Sequence, residues 1–141
     1  MTFTTPKLIR FHHCDPAGIV FYPQFYYLLH ETQEDFLAHI GFPEHVMIRS
    51  GYGVPIVDMK TGFMAMCRHG DQVSISLRLS KIGSSSITMH YEVQGPKGIH
   101  LRATGVVVYS KLADGKPVRI PDDLRQALQP YLQQETPQEI S

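Results

Sequence analysis

Several things are scarce or missing in this 141-residue chain, and each absence narrows what it can be. Charge of one sign is missing: 13 basic residues face 13 acidic ones, with the histidines neutral. That balance argues against a nucleic-acid binder working through a broad basic surface, though not against a few local cations meeting a phosphorylated small molecule. Long apolar runs are missing too. Nothing approaches the ~18 consecutive apolar residues of a membrane span, so no membrane association is expected. Met1-Thr2-Phe3-Thr4-Thr5-Pro6 does not show the charged-then-apolar layout of a secretory leader. Cys14 and Cys67 are the only cysteines, too few for a disulfide framework. With six methionines they fit a reducing interior, and a cytoplasmic location is expected. Eight histidines invite a metal. His12, His13 and Cys14, however, are consecutive on an expected strand and cannot converge on one ion. No Cys-x-x-Cys or His-x-x-x-His spacing supports them, so no metal is expected.

What is present describes one domain. The length suits a single core, hydrophobic content is 43% and charged content 18%. Phe25, Leu28, Leu29, Thr32, Phe36, Leu37 and Ile40 recur at helical spacing and predict a helix of about five turns. Glu31, Gln33, Glu34 and Asp35 fall largely off that stripe, and Gly41 followed by Phe42-Pro43 ends the helix. From Gly51 the period becomes two. Val73, Ile75, Leu77 and Leu79, then Ile87, Met89, Tyr91 and Val93, alternate with polar residues and predict half-buried antiparallel strands joined at Gly83-Ser84-Ser85. A third strand covers 99–109, with apolar residues on both faces at its end. The stretch 53–69 predicts a strand or bent pair broken near Lys60-Thr61-Gly62, and 7–13 a short strand. Pro121 opens a short helix, and about 133–141 is a polar, frayed tail. One long helix and a run of antiparallel strands are satisfied by a sheet wrapped around the helix, an α+β architecture.

The chain is organised around 11–25. Asp15, Pro16 and Gly18 carry the preferences of a type I turn, and Pro16 biases Asp15 toward extended backbone. Pro23 suits the first position of a helix, and Tyr22 before it offers no capping side chain. First-turn amides are then open to a ligand oxygen at the positive end of the helix. A carboxylate near an unfilled oxyanion site suggests acyl transfer. The plainer alternative is that Asp15 caps its own turn. Cys14 should face away from His13 and Asp15 on an extended strand and read as a packed, inert thiol. His13 would share the face of Asp15.

Cys14-Asp15-Pro16-Ala17-Gly18-Ile19-Val20-Phe21-Tyr22-Pro23 resembles the signature of the hotdog-fold acyl-CoA thioesterases of the 4-hydroxybenzoyl-CoA thioesterase type. Gly41-Phe42-Pro43, Gly53-Val54-Pro55-Ile56-Val57, Arg68-His69-Gly70-Asp71 and Ile120-Pro121-Asp122-Asp123-Leu124-Arg125 extend the resemblance over most of 8–128. It implies a hotdog fold, thioester hydrolysis without a cofactor, and homo-oligomeric assembly, at least a dimer and by family a tetramer. It places Asp15 as the catalytic carboxylate, either nucleophile or general base, and the Tyr22 amide as the donor that polarises the thioester carbonyl. The expected substrate is an aryl- or short- to medium-chain acyl-CoA. Its acyl pocket would use Phe25, His30, Val54 and Pro55, and its CoA would be held by Lys81, Gly83, Ser84 and Ser85. The loop at 81–86 has serines and a glycine where the hydroxybenzoyl-type enzymes carry arginines. Lys81, Arg68 or Arg102 would supply charge, the last from a neighbouring subunit. Two other readings remain open: a hotdog-type hydratase or dehydratase recruiting His13 or His30, and an acyl-binding protein without turnover.

Overall fold

The computed structural model describes residues 1–133; the tail expected at about 133–141 lies, from 134 on, outside the described residues. Five strands form one antiparallel sheet: β1 (Phe3–Leu8), β3 (Ile56–Phe63), β4 (Gln72–Ile82), β5 (Ser86–Gly95) and β6 (Gly98–Val108), in the spatial order β1-β4-β5-β6-β3. A two-stranded ribbon pairs β2 (Tyr52–Gly53) with β7 (Ser110–Lys111). The long helix α1 covers Pro23–His39, and the short helices α2 and α3 cover Glu44–Arg49 and Asp122–Leu128. This is the α+β hotdog arrangement.

Alternation in β4 and β5 does what the period-two pattern predicts. Val73, Ile75, Leu77 and Leu79 are buried, as are Ile87, Met89, Tyr91 and Val93, while Ser74, Ser76, Thr88 and Glu92 between them are half-buried. Against this face α1 lays Phe25, Leu28, Leu29, Thr32, Phe36 and Leu37. Phe36 has no exposed surface, and its ring meets Tyr131 edge-on at 4.9 Å and Phe3 at 5.7 Å. Truncating so buried an aromatic to alanine costs about 3–5 kcal/mol. Gly41, with φ of 92°, ends α1 as glycine is placed to do: the Phe42 amide donates back to the Leu37 carbonyl at 2.8 Å.

The structure corrects three expectations and adds one helix. The N-terminal strand is Phe3–Leu8, not 7–13; residues 11–13 instead make a single 3₁₀ turn. A side chain competes with the strand ladder here, because His13 Nδ1 accepts the Arg10 amide at 2.8 Å. Lys60-Thr61-Gly62 does not break a strand: β3 runs through it, paired with β6 from Phe63↔Leu101 to Asp58↔Val106. Helix α2 follows Pro43 unforeseen, being too short to show periodicity. Gln33, read as off the buried stripe, is only 4% exposed.

Candidate active site

The organising stretch is a tight hairpin pinned to the sheet. The Asp15 amide donates to the Ile19 carbonyl at 3.0 Å, the Phe21 amide to the His13 carbonyl at 3.0 Å, and Cys14 bridges Val20. At its tip the Gly18 amide donates to the Asp15 carbonyl at 2.9 Å, closing the expected turn, and Gly18 takes a φ of 80°. The return limb pairs with 67–69: the Val20 amide donates to the Cys67 carbonyl at 2.9 Å and the His69 amide to the Gly18 carbonyl at 3.0 Å. Ile9 clamps the base, its amide donating to the Asp71 carbonyl and its carbonyl accepting from Gly70. The carboxylate of Asp15 is therefore held at the start of β4 with its backbone fully engaged. One oxygen, Oδ1, accepts the Ala17 amide at 2.9 Å, so Asp15 does cap its own turn. A carboxylate has further lone pairs, and among the described residues that contact leaves Oδ2 open.

Helix α1 begins immediately after the hairpin. The sequence suggests a set of open first-turn amides, and the structure narrows them to one. Gln24 donates to the Phe21 carbonyl at 2.8 Å, Phe25 to the Tyr22 carbonyl at 3.1 Å, and Pro23 has no N–H. Among the described residues the Tyr22 amide alone of these has no protein acceptor. Tyr22 holds helical dihedrals (φ −53°, ψ −35°) although a proline follows, a combination the pyrrolidine ring disfavours.

The other reactive-looking groups are quiet. The Cys14 thiol donates to the Arg10 carbonyl at 3.6 Å, and burial, then the nearby Asp15 and Asp71 charges, push its pKa up. Cys67 is fully buried against His100 Nδ1 at 3.2 Å, and burial raises its pKa to about 11. Both stay thiols at neutral pH and are poor nucleophiles. Cys14 is thus inert for a reason other than strand alternation, since the residues before it form the 3₁₀ turn. Burial and the ring of His12, 4.1 Å away, lower the pKa of His13, so it stands as a neutral acceptor for the Arg10 amide.

A cavity of about 420 Å³ lies along α1, lined by Tyr26, Leu29, His30, Gln33, Val54, Pro55, Ile56, Met59 and Tyr91. Three of the expected pocket residues, His30, Val54 and Pro55, meet there. Phe25 does not line it; it is buried beneath α1 with its ring 5.9 Å from Phe63. Tyr26, Leu29, Gln33, Met59 and Tyr91 also line the cavity, a role the sequence pattern does not assign them. Gln33 had a signal, since it stands four residues from both Leu29 and Leu37 on the buried face. One side-chain trio among the described residues, His30, Glu34 and Glu44, brings possible ligand atoms within 4.8 Å of one another. Its His30 Nε2 lies 3.1 Å from Glu34 and 3.0 Å from Glu44, the geometry of an imidazole N–H shared between two carboxylates.

The loop expected to hold CoA is elsewhere. Gly83, Ser84 and Ser85 follow the last residue of β4, whereas the Asp15 hairpin abuts the first. Eleven residues of strand separate the two, roughly 35 Å of extended chain. The loop's carbonyls are occupied: Arg125 donates to Gly83 at 2.9 Å and to Ser84 at 3.2 Å, Ile120 to Ser84 at 2.8 Å, and Tyr109 to Ser85 at 2.7 Å. Lys81 is exposed beside it. Arg102 is committed to Glu92 at 3.0 Å, whereas Arg68 forms an isolated bridge with Ile19 of the hairpin.

The thioesterase-like superfamily model matches residues 9–128, nearly the whole described chain. The chain belongs to the hotdog-fold acyl-CoA thioesterases. The 4-hydroxybenzoyl-CoA thioesterase of Pseudomonas sp. (strain CBS-3) is 25% identical over 84% of this chain and 89% of its own length. The 1,4-dihydroxy-2-naphthoyl-CoA hydrolase of Nostoc punctiforme is 26% identical, over 92% of this chain and 88% of its own. In fold, the crystal structure of the 1,4-dihydroxy-2-naphthoyl-CoA thioesterase from Synechocystis superposes with a TM-score of 0.83 at 24% identity, covering 91% of this chain and 96% of that one. The protein is a thioester hydrolase acting on an acyl-CoA, which favours hydrolysis over the hydratase and non-catalytic readings. No helix of the described residues is long and apolar enough to cross a membrane.

Proposed function

We propose that this thioesterase hydrolyses an aryl- or short- to medium-chain acyl-CoA with Asp15 as its catalytic carboxylate and the Tyr22 amide as its oxyanion donor. The observation that carries the proposal is the selective vacancy at the start of α1: neighbouring amides are filled, and the Tyr22 N–H is left at the positive helix end beside the hairpin that presents Asp15. The thioester carbonyl oxygen accepts from that N–H, and its charge grows as the tetrahedral intermediate forms. In one route Asp15 attacks the carbonyl carbon, CoA leaves as its thiolate, and water then cleaves the mixed anhydride to free acid and restored Asp15. In the other, Asp15 takes a proton from water as the water attacks, and the tetrahedral intermediate collapses with cleavage of the C–S bond and departure of CoA, which regains the proton. The resemblance to hydroxybenzoyl-type enzymes leans toward the first. Aromatic and apolar lining in the cavity along α1 supports an aryl acyl group, as do relatives named for hydroxybenzoyl- and dihydroxynaphthoyl-CoA.

The CoA contacts come from a second subunit. Strand β3 is an edge of the sheet and exposes Ile56, Val57 and Phe63 at 51%, 61% and 50%. An edge this apolar is a pairing site. A two-fold axis through it sets β3 antiparallel to its copy, so the Ile56 end of one protomer lies beside the Phe63 end of the other. The first end carries the Gly83–Ser85 loop, because Ile56 pairs with Val107 and Ser86 with Val108. The second carries the active helix start, because the rings of Phe63 and Tyr22 are 6.3 Å apart. Lys81, the Ser84 and Ser85 amides and the serine hydroxyls of one protomer then face the CoA whose thioester meets Asp15 and Tyr22 of the other. Dimers pair further into a tetramer, and the enzyme works in the cytoplasm. A thiol-release screen over aryl-, short- and medium-chain acyl-CoAs, with a crotonyl thioester included, tests the reaction. Free thiol from an aryl-, short- or medium-chain substrate supports it; a hydrated crotonyl thioester without thiol release contradicts it. Light scattering of the parent and of Val57→Lys tests the assembly, which predicts that the variant dissociates and loses turnover.

A further inference from the structure

The acyl cavity is lopsided. Leu29, Val54, Pro55, Ile56 and Met59 give it an apolar wall, while Gln33 brings a primary amide to it from the middle of α1. A buried amide is costly unless hydrogen-bonded, and an apolar residue of similar size would line the same space without that cost. The Gln33 amide is held from both sides. Its Nε2 donates to Glu44 Oε1 at 3.2 Å, and its Oε1 faces the Tyr91 hydroxyl at 3.4 Å, whose one proton is shared with Met89 Sδ at the same distance. An ionised Glu44 is acceptor-only, so it fixes which end of the amide carries the N–H groups. Burial pushes the Tyr91 phenol well above its ordinary pKa and keeps it a donor. Glu44 is itself steadied by His30 Nε2 at 3.0 Å. These contacts use one N–H and one lone pair of Gln33. One of each remains, and Gln33 is a lining residue of the cavity.

We infer that Gln33 recognises a neutral hydroxyl at the far end of the acyl group, and that Glu44 positions Gln33 and rejects a carboxylate in the same place. This rests on the reading of the cavity as the acyl pocket. A hydroxyl both accepts from Nε2–H and donates to Oε1, which matches the unused pair; a methyl or bare ring edge satisfies neither. A carboxylate can only accept, and it would lie close to the Glu44 charge in a site where Glu44's side chain is 13% exposed. Position selects a distal hydroxyl. Gln33 follows Tyr22 by about three helical turns, ~16 Å along the axis, and helical side chains lean back toward the N-terminus. The contact therefore falls well away from the thioester, at the end of an extended or two-ring acyl group. Gln33 is a specificity residue and has no part in the bond-breaking step.

The test compares three naphthoyl-CoAs whose ring distant from the thioester carries a hydroxyl, nothing, or a carboxyl. Turnover is measured alongside binding of the corresponding non-hydrolysable ketone analogues, in which a methylene separates carbonyl from sulfur. The parent should favour the hydroxylated compound over the bare one by at least about tenfold in kcat/KM and in affinity, with the carboxylated compound last. Gln33→Met should bring the hydroxyl preference within about threefold by losing the hydroxylated ligand, and Glu44→Gln should raise the relative affinity of the carboxylated analogue at least about tenfold. Equal handling of hydroxylated and bare ligands by the parent overturns the inference, as does a preference unchanged in Gln33→Met. Should Gln33→Met fail to fold, the parent series decides it, and equal handling of the hydroxylated and bare ligands overturns the inference. If none of the three is hydrolysed but the analogues bind in the expected order, the aryl acyl group of the proposed function fails and the Gln33 contact stands. Hydrolysis without that order leaves the thioesterase reading and removes this one.

Discussion

The two ends of β4 carry two tight connections with opposite fates. At its start, the Asp15 hairpin ends in a carboxylate with one oxygen engaged and delivers the chain to a helix whose Tyr22 amide has no protein acceptor among the described residues. At its end, the Gly83–Ser85 loop has its carbonyls claimed by Arg125, Ile120 and Tyr109. Both contain glycine and small polar residues, and from sequence both suit a ligand. The difference lies in what the surrounding elements leave unfilled. Among the described residues the first connection leaves one carboxylate oxygen and one amide donor unfilled, which the proposed mechanism uses, while the second leaves amides and hydroxyls of Ser84 and Ser85, which the proposal gives to CoA.

If that contrast is right, Asp15→Asn removes the reaction and leaves binding. Thiol release at saturating acyl-CoA should fall by a factor of about 10²–10⁴, with the thermal midpoint close to the parent's. Next in size is Tyr22→Pro. The native φ of −53° already suits a pyrrolidine ring, so the change deletes the N–H with little demand on Tyr22's own backbone. Turnover should drop by about 10²–10³, the usual worth of an oxyanion donor, with KM little changed. At the other end of β4, Arg125→Ala strips the donor from two loop carbonyls. It should lower stability by about 2 kcal/mol in a denaturant melt and raise KM for acyl-CoA more than it lowers kcat. An effect on kcat as large as that of Asp15→Asn would erase the distinction between the two connections.

The smallest effect belongs to His13, which shapes the hairpin without entering the chemistry. Its pKa is lowered in the folded protein, so between that value and the unfolded value of about 6.5 the unfolded chain binds the extra proton. Stability from this residue is present above about pH 6.5 and is lost as pH falls through the lowered folded value. Asparagine at 13 can still accept the Arg10 amide but cannot titrate. Melts of His13→Asn should therefore be flatter between pH 7 and 5 than those of the parent, which denatures more readily on acidification.

Much of the fold was legible because local and global preferences agree. The apolar stripe of α1, its Gly41 stop, the alternation of β4 and β5 and the Asp15-Pro16-Ala17-Gly18 turn all have short-range causes, and each stands where its pattern puts it. What was not legible depends on contacts between distant residues. His13 turns 11–13 into a 3₁₀ turn by bonding Arg10, which alternation alone does not reveal. Gln33 is polar by type and buried because Glu44 and Tyr91, from α2 and β5, complete it. The location of the Gly83–Ser85 loop, a full strand from Asp15, follows from topology and not from composition. In the site itself, Asp15 and Tyr22 were legible as a carboxylate and an uncapped helix start; that only the Tyr22 amide stays open emerged from the bonds made by Gln24 and Phe25.

The most direct test of this pairing is a double-mutant cycle on turnover, using the parent, Asp15→Asn, Tyr22→Pro and the double variant, each confirmed folded by its thermal melt. Groups that act on one transition state lose their effects together. The double variant should be scarcely slower than Asp15→Asn alone, with both single variants far below the parent. Losses that multiply, or an Asp15→Asn protein as fast as the parent, would contradict a carboxylate and a helix amide working on the same thioester carbonyl.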